Sequence, residues 1–196
     1  MRAMNDTPST PHRITDAVAL FDGLFADTFD TRLVRGGDEP LYLPADADCP
    51  WHRVIFARGF FASALHEISH WCIAGARRRQ QEDYGYWYLP DGRDADQQAA
   101  FENAEVAPQA LELLFSRACG RRFHVSVDNL GDVPVDRDAF RERVEARALR
   151  YEREGLPVRA AAFRDALDAY YRRGARREAA IAAGREGLTV ALAESP

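Results

Sequence analysis

A chain of 196 residues, 46% hydrophobic and 29% charged, is long enough to bury one core and too apolar to remain disordered. The formal charge of −5 excludes a generally basic, nucleic-acid-coating surface, and no direct nucleic-acid binding is expected. The most apolar stretch, Val54 to Gly75, is interrupted by Arg58, His66, Glu67 and His70, which excludes a membrane span there.

Three cysteines, Cys49, Cys72 and Cys119, form no CxxC pair, so neither a disulfide framework nor a zinc ribbon is expected. They point to a reducing, cytoplasmic setting. All 26 basic residues are arginines, and they are unevenly placed. Residues 137–186 hold 13 basic and 9 acidic residues, against 13 and 22 in the remainder, a polarity that permits docking of an acidic partner.

In chain order, residues 1–13 carry Thr7, Pro8 and Pro11 without an apolar region and read as a frayed tail. Asp16 to Phe29 repeats apolar residues at helical spacing. Gly36-Gly37-Asp38 is turn chemistry, followed by the short apolar run Leu41-Tyr42-Leu43, which Pro44 stops. Arg53 to Phe56 reads as a buried strand, and Phe60 to Ile73 as a helix closed by Gly75. Tyr84 to Leu89 alternates like a strand. Ala99 to Cys119 is helical, with Pro108 at a kink or at the first turn of its second half. Phe123 to Val127 is a candidate strand. Two long helices rich in arginine, glutamate and alanine follow Asp136, separated near Gly155-Leu156-Pro157. The sum is an α+β single domain over residues 14–174, helices on a small sheet, with residues 175–196 as a helical extension or tail.

Within the second helix, His66-Glu67-Ile68-Ser69-His70 spaces two histidines four apart, so both imidazoles project from one face about one turn apart. Phe61, Leu65, Ile68 and Cys72 form an apolar stripe on roughly the opposite side, while Ser63 joins the histidines. One face packs and the other is lined with metal-ligand chemistry; two buried structural histidines are the plain alternative. Glu67 has two readings, a general base acting on metal-bound water or a hydrogen-bond partner that orients a ligand. The third ligand lies elsewhere, because the extended motif HExxHxxGxxH fails at Ile73 and Ala76. Glu105 is the leading candidate, on the same helical side as Gln109 and Glu112. Glu102 comes next, and His124, on an apolar strand, reads better as a core histidine. Two histidines and one carboxylate suit a zinc hydrolase or an Fe(II) oxygenase, and residue spacing alone does not choose.

The runs Glu39 to Asp46, Phe56 to Gly75, Tyr84 to Asp94 and Pro108 to Leu111 resemble the bacterial elongation factor P hydroxylases, over about residues 16–172. The resemblance implies a zincin-like fold in which the HxxxH helix packs on a small sheet. It implies a non-haem iron hydroxylase, with dioxygen as oxidant, acting on elongation factor P that already carries a β-lysyl group. It carries the family's two-histidine metal motif onto His66 and His70; zinc can occupy such ligands in a purified protein. No pocket signature for 2-oxoglutarate stands out, so the reducing co-substrate is left open. With such a substrate, Tyr84, Tyr86 and Tyr88 on one strand face become candidates to line a groove for a long cationic side chain. Asp91 and Asp94 become candidates to pair with its ammonium. The competing readings are an HExxH zinc metallopeptidase and, last, a binding module with a structural metal.

Overall fold

The computed structural model describes residues 10–82, 93–127 and 135–193, with side chains to residue 189. Helix α1, Ile14–Phe29, buries Ala17, Leu20, Phe21, Leu24 and Phe25 completely, as its apolar spacing demands. Asp30, in the left-handed conformation at φ 47°, turns the chain into strand β1, Thr31–Arg35. Asp22 on α1 accepts the Leu33 N–H at 2.9 Å, tying helix to strand.

Strands β2, Leu41–Leu43, and β3, His52–Phe56, complete a three-stranded sheet in the order β1-β3-β2. Central β3 runs parallel to β1 and antiparallel to β2. Leu33 and Tyr42 both stand opposite Val54, and all three are buried, so one side of the sheet belongs to the core.

The rest is helical: α2, Phe61–Ile73; α3, Ala95–Ala118; α4, Arg137–Glu154; α5, Val158–Leu167, continued by a π-helical turn, Asp168–Arg172; and α6, Arg177–Ala193. The fold is thus α+β, mostly helical with a small sheet. Trp71 of α2 sits wholly buried at 4.8 Å from the Phe25 ring, 5.2 Å from Phe21 and 5.7 Å from Phe29. This aromatic cluster fixes α2 against α1 and leaves its opposite face toward α3. α6 packs along α5 and α1, with Arg177 paired to the buried Asp16 at 2.8 Å. Among the described residues no helix is long and apolar enough to cross a membrane.

Four local expectations are corrected. Gly75 does not close α2 by a left-handed turn: Ala74 ends the helix in an extended conformation, φ −66° and ψ 120°. The carbonyls left over at that end lie instead against one nitrogen of Arg159, at 3.0 Å from Trp71 O, 3.1 Å from Cys72 O and 2.6 Å from Ala74 O. Phe123 to Val127 is no strand. Phe123 and Val125 do pack on the core, but the backbone of Ser126 pairs with the Gln109 side-chain amide, accepting at 2.6 Å and donating at 3.0 Å. α3 begins at Ala95, earlier than Ala99, because Asp94 and Gln97 form a capping box. Pro108 lies inside that helix without ending it. The second long C-terminal segment is two helices, broken at Gly174, whose φ of 67° a helix cannot hold.

Candidate metal centre

Turn 57–60 leads into α2 without a side-chain N-cap, since Phe60 offers no acceptor. Ser63 Oγ, in the first turn of the helix, takes the Ala57 N–H at 2.9 Å and so ties the preceding turn to α2. From that start, His66 and His70 rise on the face turned toward α3, and Ala64, Leu65, Ile68 and Trp71 fill the core. On α3, Glu105, Gln109 and Glu112 follow at steps of four and three and so share one helical face.

The two faces meet. The Nε2 atoms of His66 and His70 lie 3.1 Å apart. Glu105 places one carboxylate oxygen 3.5 Å from His66 Nε2 and the other 3.2 Å from His70 Nε2. All three residues thus bring a potential ligand atom within 4.8 Å of the others. With bonds of about 2.0–2.2 Å, neighbouring ligands of one ion stand about 3.0–3.5 Å apart, so the donor set fits a single divalent cation. Glu105 is 3% exposed and receives the Gln109 amide at 3.3 Å, whereas the His66 side chain is 25% exposed and marks the open side.

Charge tells the same story. Burial disfavours the His66 imidazolium, yet Glu105, then Glu112 and Glu67, outweigh it and push the ring up to about 10. Burial would also raise Glu105, but His70 and His66 hold its carboxyl down to about 2. Glu67 is raised, chiefly by burial and further by Glu105 and Glu112, against the pull of both histidines. Three carboxyl groups crowd two imidazoles, and positive charge is what the cluster lacks.

A sequence profile of the elongation factor P hydroxylases matches residues 20–181 of this chain. The chain belongs to the elongation factor P hydroxylase family. A relative from Haemophilus influenzae, named elongation factor P lysine hydroxylase, is 49% identical over 160 residues, covering 82% of this chain and 90% of its own. The matched region runs from α1 into α6 and includes both histidines, Glu67 and Glu105.

The other expected site residues fall differently. Glu102 accepts from Gln98 at 3.3 Å and pairs with Arg143 at 3.4 Å, away from the histidines. His124 is exposed and lies on no strand, so it is neither a core histidine nor part of the cluster. Asp94 spends its carboxylate on the Gln97 N–H at 2.8 Å. Tyr84, Tyr86, Tyr88 and Asp91 lie outside the described residues. The contact that residue types alone did not announce is Glu112, whose Oε2 stands 2.9 Å from His66 Nδ1. Its signal was the seven-residue step from Glu105, two helical turns along one face.

Proposed function

We propose that this chain is a non-haem iron hydroxylase that places one hydroxyl group on the β-lysyl-modified lysine of elongation factor P. The observation that carries the reading is the convergence of His66, His70 and Glu105 in a chain of this family. These three residues would hold Fe(II) as a two-histidine, one-carboxylate set, with coordination positions left for other ligands. Bound there, the iron supplies the activation of dioxygen. One oxygen atom enters the lysine side chain, the other leaves as water, and a two-electron reductant completes the balance.

The protein's own residues do the rest. His66 and His70 turn their Nε2 atoms toward one space from a helix pinned by Trp71, and Glu105 is steadied by Gln109. Burial raises the Glu67 carboxyl, which suits it to exchange a proton with a bound water. The open flank at His66 is where a long lysine side chain would enter. A helix bearing HxxxH beside a small sheet is a zincin-like arrangement, and a translation factor as substrate implies a cytoplasmic enzyme.

The test is reconstitution without oxygen using Fe(II) or Zn(II), then intact mass of β-lysylated elongation factor P after air and reductant are admitted. Gain of one oxygen atom with iron alone, lost in His66→Ala and His70→Ala, is the expected result. No mass gain with verified substrate, together with casein cleavage by the zinc form, would replace this reading with a peptidase.

A further inference from the structure

Resting on that metal reading, we infer that Glu112 is a positioning residue: its carboxylate accepts the Nδ1–H of His66 and so presents Nε2, unprotonated, to the shared ligand space. Glu112 Oε2 stands 2.9 Å from Nδ1, and the side chain is only 13% exposed. It belongs to no other ion pair among the described residues.

A neutral imidazole carries one N–H, and a nitrogen that binds a metal cannot carry it. His66 Nε2 is the atom that faces His70 at 3.1 Å and Glu105 at 3.5 Å, so the proton belongs on Nδ1. A partly buried N–H needs an acceptor, and Glu112 is the one in place. Glu105 addresses the ring from one nitrogen and Glu112 from the other, both from the same face of α3. The imidazole is therefore gripped at two points and cannot flip without losing both. Glu112 is not itself a ligand candidate, because it reaches the side of the ring away from the convergent atoms. An anionic acceptor also makes Nε2 a stronger donor to a cation.

The experiment is zinc titration of the metal-free full-length protein by calorimetry, with histidine-labelled nitrogen NMR of the zinc form. Wild type, Glu112→Gln and Glu112→Ala are compared. One zinc per chain is expected in all three. The Kd should rise about 10- to 100-fold in Glu112→Ala, and by a smaller factor in Glu112→Gln, whose amide oxygen still accepts. The His66 Nδ1–H resonance, protected in wild type, should vanish in Glu112→Ala and weaken in Glu112→Gln, while the His70 signals stay. Wild-type Kd and an unmoved His66 resonance in Glu112→Ala would overturn the inference. Should Glu112→Ala fail to fold, an unchanged Kd in Glu112→Gln overturns it equally. A wild-type protein that takes up no zinc, or retains it in His66→Ala, overturns the metal reading itself, an outcome separate from the other two.

Discussion

Arg159 Nη2 lies 2.6 Å from the Ala74 carbonyl, so a residue of α5 closes the helix that carries both histidines. The same guanidinium stacks over the Trp71 ring at 4.5 Å. Arg159→Ala removes a charged donor from three carbonyls and a cation from an aromatic face. We expect a loss of about 1.5–3 kcal/mol, read as a lower urea midpoint, because charge-assisted hydrogen bonds carry that weight. An unchanged midpoint would mean that solvent, with Arg79 Nη1 at 2.7 Å from the Ala74 carbonyl, satisfies those carbonyls just as well.

On the proposed reading, removing a ligand should act on the ion before it acts on the fold. His66→Ala, His70→Ala and Glu105→Ala should each lower metal affinity by more than the about 10- to 100-fold typical of an outer partner, with activity falling in step. Glu102→Ala should keep wild-type metal content. Metal analysis after dialysis decides, and a metal-replete Glu105→Ala would remove that carboxylate from the set.

The metal-free site has a definite pH signature. His66 is raised from 6.5 to about 10, so its stabilising contribution is full below 6.5 and is lost as pH rises through about 10. Glu105 is lowered from 4.5 to about 2, so its contribution is full above 4.5 and is lost as pH falls toward 2. Both contributions are complete between 4.5 and 6.5, where the metal-free protein should show its highest unfolding midpoint from this pair. Binding a cation at neutral pH must expel the His66 proton, so affinity should climb with pH. Calorimetry in buffers of different ionisation enthalpy measures the proton released, and a value near zero would contradict the His66 assignment.

Thiol reactivity should divide by depth. Burial pushes Cys72 and Cys119 up to about 12, while Cys49 is only half-buried. Iodoacetamide on the folded protein should label Cys49 and spare the other two until denaturant is added. Peptide mass mapping reports the pattern, and early labelling of Cys72 would show that α2 opens readily.

At Gly184, α6 leaves no room for a side chain against α5. A Cβ there would stand 2.5 Å from the Ala162 carbonyl oxygen and 2.9 Å from the Leu24 side chain. The first of these is backbone and cannot rotate away. Gly184→Ala should therefore cost about 1–3 kcal/mol as the helices separate, against the usual gain of alanine in a helix. A raised midpoint in thermal unfolding would show that α6 is not held this tightly.

What the sequence disclosed and what it hid follow from distance along the chain. The four-residue step from His66 to His70, and the shared face of Glu105, Gln109 and Glu112, are local periodicities, and both survive into the structure. Asp16 to Phe29 was legible for the same reason. The closure of α2 was misread because Gly75 is nearby and Arg159 is 85 residues from Ala74. Phe123 to Val127 has the alternation of a strand, since Phe123 and Val125 do turn inward; alternation reports burial, not the partner that takes the backbone hydrogen bonds. That partner is a glutamine side chain, which no strand pattern encodes. Glu112 was visible as a position on α3, but its reach to His66 spans 46 residues and needed the fold.

Among the described residues, the groups that converge at the site come from α2 and α3, helices separated in the chain by residues 74–94. On the proposed reading, a single bound ion is therefore a cross-link as well as a reagent. It would close a ring of about 35 residues between His70 and Glu105, and in the chain-entropy picture a link of that span restricts the unfolded ensemble by on the order of 3–4 kcal/mol. Loading the enzyme with metal and fastening its two site helices together would be one event, so chelation would both disarm the chain and shorten its lifetime.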